Sequence, residues 1–229
     1  MDGVIIDSNP WHRTAWSEYT RRHGIEMTES MQQRMYGKRN DEIIRDFLGG
    51  HLDEAEVFAH GAAKEELYRQ MMRPHIEAAL VPGIREFLAS RSDLDLAVAT
   101  NAEKLNVDFV LDTAGLRRFF RVIVDGHQVT RPKPHPEIYL RVADSLGLPP
   151  HECVVFEDSY AGVEAGIAAG MRVVGVSTTH HDLPSISLLI PDFTDARVES
   201  WLSGNSHPDR TESVNCPSDR RAWQGRQAR

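Results

Sequence analysis

The sequence contains no apolar run that approaches the ~20 residues needed for a helix that crosses a bilayer. Its first residues also lack the basic region and apolar stretch of a secretory signal peptide. Cysteine is nearly absent: Cys153 opens an apolar run and Cys216 lies in a polar stretch, so a disulfide between them is not expected. These absences predict a cytoplasmic protein with no membrane partner.

A block of basic residues is also missing. The chain has 26 lysine and arginine residues against 34 aspartate and glutamate residues, which gives a formal net charge of −8. This balance argues against a surface that binds the phosphate backbone of nucleic acid, so no nucleic-acid partner is predicted. An acidic protein can still bind a small anion when a few cations and backbone N–H groups converge on one pocket.

The hydrophobic content of 41% is sufficient for a sizeable core, and three regions of the chain differ in pattern. Residues 9–80 carry apolar side chains at helical spacing throughout. Residues 81–202 alternate between apolar runs typical of buried strands and stretches typical of helices. Residues 203–229 are polar, lack periodicity and are predicted to form a disordered tail.

The alternating region predicts an α/β fold. The expected strands are residues 94–100, 122–125, 153–158 and 172–176, and the expected helices are residues 84–90, 104–114, 136–146 and 161–169. Strand, helix and strand at this spacing indicate a parallel sheet with right-handed crossovers. Residues 3–6 are interpreted as the end of a first strand, so the helical region that follows would be an insertion after that strand.

Polar residues stand where the predicted strands end, which is where ligands bind in an open parallel sheet. They are Asp2, Thr100, Asn101, Glu157 and Asp158, with Lys133 just before a predicted helix. Clustered carboxylates repel each other unless a cation joins them, and their hard oxygens select Mg²⁺. A hydroxyl, backbone N–H groups and an ammonium suit phosphate oxygens. Each residue alone could be a cap, a turn or a surface charge, but together they predict metal-assisted chemistry on an anion.

Four segments of the chain resemble the four motifs of the haloacid dehalogenase superfamily. They are Asp2-Gly3-Val4-Ile5-Ile6-Asp7-Ser8, Thr100-Asn101, Lys133-Pro134 and Phe156-Glu157-Asp158-Ser159-Tyr160-Ala161-Gly162-Val163-Glu164-Ala165-Gly166. The resemblance covers residues 1–202 and is closest to the branch that holds β-phosphoglucomutase and sugar-phosphate phosphatases. It implies a Rossmann-like parallel sheet core, residues 1–9 and 81–202, with a small helical cap domain, residues 10–80, inserted after the first strand.

The resemblance also implies a role for each residue at the strand ends. Asp2 would be the general acid/base, and its backbone carbonyl would bind Mg²⁺. Asp158 would be a direct ligand of Mg²⁺, and Glu157 a direct or outer-sphere ligand. Thr100 and Lys133 would hold the phosphoryl group that is transferred.

Four further residues align with family positions that contact substrate. Asn101 would add its backbone N–H to the phosphate site. His12 would lie near the acid/base and the hinge of the cap, and Lys38 and Arg39 would belong to the cap loop that recognises substrate. Simpler interpretations stay open, because His12 could cap the first cap helix or face solvent and Lys38 could be a solvated charge.

The nucleophile of the family is an aspartate two positions before Asp2, where this sequence has no residue. Asp2 is not expected to replace it, because strand residues two apart lie ~6.5 Å apart along the chain and a misplacement of ~1 Å can already cost ~100-fold in rate. We expect the sequence to begin at an internal methionine, because the family often has Met or Leu between the two aspartates.

Three hypotheses of function follow. The first is a monomeric, Mg²⁺-dependent phosphatase of a small phosphorylated metabolite, namely a sugar phosphate, that forms an aspartyl-phosphate. The second is a β-phosphoglucomutase-like phosphotransferase, which uses the same groups. The third is a non-catalytic binding protein, which only the missing nucleophile supports. A dehalogenase is less favoured, because that chemistry needs no Mg²⁺ and gives the Glu157-Asp158 pair no purpose.

Overall fold

The computed structural model describes residues 1–35 and 40–204. The helices in these ranges are α1 (Asn9–Arg22), α2 (Glu29–Met35), α3 (Asn40–Phe47), α4 (Glu54–Met72), α5 (Ile84–Ala89), α6 (Lys104–Thr113), α7 (Glu137–Leu146), α8 (Tyr160–Ala168) and α9 (Arg197–Gly204). The strands are β1 (Ala97–Ala99), β2 (Val122–Val124), β3 (Val154–Glu157), β4 (Arg172–Val176) and β5 (Leu188–Ile190). Lys38, Arg39 and residues 205–229 lie outside the described residues, so the predictions made for them stay predictions.

The described strands pair in parallel, which confirms the predicted α/β fold. β1 pairs with β2, with Val98 opposite Ile123, and β3, β4 and β5 form a second parallel group, with Val155 opposite Val173. Valine and isoleucine dominate these strands, as is typical of parallel sheets that helices cover. β1 is shorter than predicted, because Leu94 at the start of the apolar run is 49% exposed. β5 was not predicted, because a run of three apolar residues has no detectable period.

The prediction that residues 3–6 end a first strand is wrong, because they form a turn. Gly3 has a φ of 67°, a conformation that favours glycine. The N–H groups of Val4, Ile5 and Ile6 all lie 2.8–3.3 Å from the carbonyl oxygen of Met1. The apolar run resembled a strand because these side chains are buried in the core. Asp2 therefore stands at the start of a turn and makes a single bridge with Ile6.

The helices α1 to α4, here called the helical segment, pack around an apolar cluster of their own that includes Trp16, Ile44 and Leu67. α4 begins with a capping box, in which the Asp53 carboxylate accepts the N–H of Glu56 at 2.8 Å and the Glu56 carboxylate accepts the N–H of Asp53 at 2.9 Å. Within the described ranges, no helix is both long enough and apolar enough to cross a membrane. The boundaries of core and cap stay predictions.

The tail was predicted to begin at residue 203, but residues 203 and 204 belong to α9, which continues through Gly204. The main core cluster contains the buried side chains of the first turn together with those of α5, α6 and β4. This packing fixes the turn at residues 3–6 against the sheet. Backbone hydrogen bonds from Asp7 to Ala79 and from Val81 to Ile5 then tie the turn to the segment that follows α4.

Candidate active site

The ends of β1 and β3 carry the residues that were predicted to hold phosphate and metal. Thr100 follows β1 and is 4% exposed, and its N–H donates to the Val124 carbonyl oxygen at 3.0 Å. Its hydroxyl accepts the N–H of Ala102 at 3.1 Å, so the side chain shapes the turn in which Asn101 lies. Glu157 ends β3, and parallel strands bring their carboxyl ends to one edge.

Lys133 joins the two groups of strands. Its ammonium donates to the Ala99 carbonyl oxygen of β1 at 3.0 Å and to Glu157 Oε1 of β3 at 2.5 Å. Its backbone N–H lies 3.3 Å from the Asn101 side-chain oxygen, which therefore accepts it. The side chains of Lys133 and Glu157 are 8% and 7% exposed. A buried ammonium is thus fixed beside the turn that begins with Thr100.

Glu157 is fully engaged by protein donors. Besides Lys133, the hydroxyl of Tyr139 donates to Oε1 at 2.6 Å, and Ser159 Oγ donates to Oε2 at 3.0 Å. Burial opposes ionisation, but the attraction of Lys133 is among the effects that lower the pKa of Glu157 to about 2. A Cβ on Gly162 would overlap this carboxylate, which therefore needs glycine in α8. In the structure Glu157 holds the ammonium of Lys133. The role of Glu157 as a metal ligand stays a prediction.

Asp158 is buried with fewer donors around it. The hydroxyl of Thr179 donates to Asp158 Oδ2, and a Cβ on Gly3 would overlap the carboxylate. Burial raises the pKa of Asp158 to about 6, and repulsion from Glu157 and from Asp2 contributes to the increase. A carboxylate in this environment is stabilised by a cation.

Asp2 is held by a residue that was not predicted at the site. Ser8, at the start of α1, is completely buried and donates its hydroxyl to Asp2 Oδ1 at 2.6 Å. The amino group of Met1 is also buried, which lowers its pKa, and Lys133 and Asp158 lie within its electrostatic reach. The Met1 amino group therefore lies in the same site as Asp2.

The donors at this site suit Mg²⁺, although not in the arrangement first expected. Across residues 1–35 and 40–204, no three histidine, cysteine, aspartate or glutamate side chains are grouped as a metal site. Asp2 and Asp158 offer hard oxygens, whereas Glu157 is occupied by Lys133 and Tyr139. Mg²⁺ commonly takes one or two carboxylates and completes its shell with water and substrate phosphate. The Asp158 carboxylate therefore suits a cation at this site better than Glu157 does.

His12 lies in a second polar cluster beside Asp2. Its ring stacks on Tyr68 with centroids 3.8 Å apart, and its Nδ1 lies 2.9 Å from Lys64 Nζ. Lys64 can only donate, so Nδ1 accepts and the ring is neutral. Burial and the charge of Lys64 lower the pKa of His12 to about 4, and Asp2 is close enough to oppose that shift. His12 therefore neither caps α1 nor points freely into solvent.

The second cluster continues to α6 through Glu65. This carboxylate accepts from Lys64 at 2.9 Å, from Asn40 at 2.6 Å and from Asn106 at 2.8 Å. Arg69 donates to the Asn106 side-chain oxygen at 2.8 Å. Since Asn106 belongs to α6, the network connects α4 with the helix that follows Thr100.

Sequence reasoning missed Ser8, Lys64, Tyr139 and Thr179. One signal for Lys64 existed: Val57, Lys64, Tyr68 and Met72 are spaced as one face of a helix, and all four are buried. A lysine in an apolar stripe indicates a buried partner. Ser8, Tyr139 and Thr179 gave no comparable signal, because each acts through a contact that only the fold creates.

A model of the haloacid dehalogenase-like hydrolase family matches residues 1–170. The chain belongs to this family. The predicted resemblance, and with it the prediction of an enzyme, is confirmed. The chain is 31% identical to Protein CbbY of Rhodobacter capsulatus over 214 residues, which cover 87% of this chain and 94% of that protein.

Other members of the family agree in sequence and in fold. Fructose-1-phosphate phosphatase YqaB of Escherichia coli (strain K12) is 32% identical over 179 residues, which cover 77% of this chain and 93% of that protein. The crystal structure of a β-phosphoglucomutase from Clostridium difficile superposes with a TM-score of 0.76 at 25% identity, covering 89% of this chain and 93% of that one. The family thus accounts for both the parallel sheet and the helical segment.

Proposed function

We propose that this protein is a Mg²⁺-dependent phosphatase of a small phosphorylated metabolite, specifically a sugar phosphate. The observation that carries the proposal is the buried Lys133–Glu157 pair, which fixes an ammonium beside Thr100 and Asp158. Similarity to a fructose-1-phosphate phosphatase supports the choice of a sugar phosphate. We further propose that residues 10–80 act as a cap over this edge of the sheet.

The residues of the chain would divide the work as follows. Lys133, the Thr100 hydroxyl and the N–H of Asn101 would bind and orient the phosphoryl oxygens. Asp2 would donate a proton to the leaving oxygen and later accept one from the attacking water, and Ser8 would hold its carboxylate in place. Mg²⁺, held by Asp158 and the Asp2 carbonyl, would supply charge neutralisation on the phosphoryl group.

In a version of the chain extended upstream, the phosphoryl group would be carried by an aspartate joined to Met1. The amino group of Met1 lies within electrostatic reach of Lys133, Glu157 and Asp158. A residue joined to Met1 would therefore enter the site next to the proposed phosphate and metal ligands. This placement supports an aspartyl-phosphate as the intermediate.

The test compares the chain of 229 residues with a version extended upstream by an apolar strand that ends in aspartate. Both are assayed for phosphate release from a panel of sugar phosphates, with MgCl₂ or with EDTA. We expect the extended version to release phosphate only with Mg²⁺. Release that survives EDTA contradicts the metal assignment, and no turnover by either version favours a non-catalytic binding protein.

A β-phosphoglucomutase-like transferase is the second candidate. The similarity to the β-phosphoglucomutase structure and the neutral His12 beside Asp2 favour it. In that reaction, a sugar hydroxyl would accept the phosphoryl group in place of water. The same assay separates the two, because a mutase interconverts sugar phosphate isomers without releasing phosphate.

A further inference from the structure

Thr179 links the start of the helical segment to Asp158. Its hydroxyl oxygen accepts the Asn9 side-chain N–H at 2.8 Å, and the same hydroxyl donates to Asp158 Oδ2. An amide N–H can only donate and a carboxylate can only accept. The bond from Asn9 therefore leaves the hydroxyl hydrogen of Thr179 directed at Asp158.

We propose that Thr179 is a positioning residue for the carboxylate of Asp158, and that Asn9 sets the direction of its hydrogen bond. The inference rests on the proposed function, in which Asp158 holds Mg²⁺. With Oδ2 engaged by Thr179, Oδ1 is the oxygen that faces the cation. Gly3 lies against the same oxygen, since a Cβ on Gly3 would overlap Asp158 Oδ2 first.

The neighbouring residue strengthens this arrangement. Thr178 donates its hydroxyl to the carbonyl oxygen of Gly3, so two successive threonines hold both the carboxylate and the backbone against which it lies. Both threonines are half-buried, and they follow β4 in a stretch without regular structure. Because Asn9 is the first residue of α1, the orientation of Asp158 depends on where the helical segment begins.

The test measures Mg²⁺ binding directly, by calorimetric titration of the full chain and its variants with MgCl₂. Thr179→Val removes the hydroxyl at constant shape, and we expect it to weaken Mg²⁺ binding about ten-fold, as is typical when a residue that orients a metal ligand is lost. Thr179→Ser keeps the hydroxyl and should bind within about two-fold of the original chain, because the same hydrogen bond remains available.

Asn9→Asp tests the direction of the bond. An aspartate at this position accepts the hydroxyl hydrogen of Thr179 and so removes it from Asp158, which should weaken Mg²⁺ binding. Added negative charge alone would strengthen it, so the two effects have opposite signs. Tighter binding by this variant overturns the role of Asn9.

The matched control is Thr194→Val, which removes a threonine hydroxyl that donates to Asp192, a carboxylate outside the candidate site. It should bind Mg²⁺ like the original chain. The inference alone is overturned if the Thr179→Val variant binds Mg²⁺ as tightly as the original chain. It is also overturned if Thr194→Val weakens Mg²⁺ binding as much as Thr179→Val does. If the original chain takes up no Mg²⁺, the proposed function fails, and the inference fails with it.

Discussion

Two lysine–glutamate pairs are buried in the described part of the chain, and the fold brings them together in different ways. Lys133 and Glu157 are 24 residues apart and meet at the edge of the sheet, with Nζ and Oε1 2.5 Å apart. Lys64 and Glu65 are neighbours in α4, with Nζ and Oε1 2.9 Å apart. Lys133 and Glu157 are 8% and 7% exposed, and Lys64 and Glu65 are 1% and 5% exposed.

The two glutamates are satisfied by different neighbours. Glu157 accepts hydrogen bonds from the hydroxyl groups of Tyr139 and Ser159, whereas Glu65 accepts them from the side-chain amides of Asn40 and Asn106. Buried ion pairs rarely add net stability, since the cost of removing both charges from water offsets their attraction. We infer that each pair holds parts of the fold in position rather than adding net stability. One holds an ammonium at the candidate site, and the other joins α4 to α6.

Loss of Lys133 should have the largest effect. Lys133→Met keeps the length of the side chain but leaves Glu157 ionised and buried without its cation. We expect the free energy of unfolding at pH 7 to fall by about 3–5 kcal/mol, measured by urea denaturation. The extended version of the protein should also lose phosphate release. The double variant Lys133→Met/Glu157→Gln should regain most of the stability, and a single variant within about 1 kcal/mol of the original would contradict the argument.

Loss of Lys64 should cost less than loss of Lys133. In Lys64→Met, Glu65 keeps the side-chain N–H groups of Asn40 and Asn106. Burial lowers the pKa of Lys64, so removing this ammonium also relieves a desolvation cost, and we expect a loss of about 2 kcal/mol. Lys104→Met is a matched control, because Lys104 is 68% exposed and pairs with Asp108 on the surface of α6. Its loss should be below about 0.5 kcal/mol. A larger loss for Lys64 than for Lys133 would reverse the comparison.

The same contrast shows what the sequence can predict at the site. Lys133 and Glu157 were predicted because both stand next to predicted strand or helix ends and belong to motifs. Lys64 was missed because a lysine inside a helix normally faces solvent, and only its position in an apolar stripe indicates burial. Ser8 and Thr179 act on carboxylates 6 and 21 residues away, and no local pattern encodes those distances.

The fold was predicted best where an apolar run and a helix alternate. β2, β3 and β4 lie where the valine-rich runs were expected, and α5 to α8 begin within one residue of prediction. The turn at residues 3–6 was misread, because burial of a short apolar run does not distinguish a strand from a turn. The turn forms because the positive φ of Gly3 lets the chain fold back on the Met1 carbonyl.

The acid dependence of stability should separate His12 from the glutamates. An unfolded chain protonates histidine near pH 6.5, whereas the pKa of the folded His12 is lowered to about 4, so stability falls as pH drops through this window. The His12 side chain is 27% exposed, and we expect His12 to contribute a loss of about 1–2 kcal/mol between pH 7 and pH 5. Asp158, whose pKa is raised to about 6, acts with the opposite sign in this window, so the contribution of His12 is read as the difference between the original chain and a His12 variant. Glu65 and Glu157, with pKa values lowered from 4.5 to about 2, should cost stability only below pH 4.5.

Urea denaturation at pH 7, 5 and 3 measures both steps. His12→Gln should remove the contribution of His12 between pH 7 and pH 5 and keep the loss at pH 3. Lys64→Met should raise the pKa of His12, because the neighbouring positive charge is removed, and NMR titration of the ring reports that change. If the change in unfolding free energy between pH 7 and pH 5 is the same in His12→Gln, a group other than His12 causes it.

The smallest effect should come from the amide donors that distinguish Glu65 from Glu157. Asn40→Ala removes one of them at the edge of the network, and we expect a loss of about 1 kcal/mol in the free energy of unfolding. In the Lys64→Met background the same change should cost more, since Glu65 then depends on Asn40 and Asn106 alone. A double-mutant cycle measures this coupling. If the two losses simply add, the amides and Lys64 stabilise the Glu65 carboxylate independently. The amides would then not explain why losing Lys64 costs less than losing Lys133.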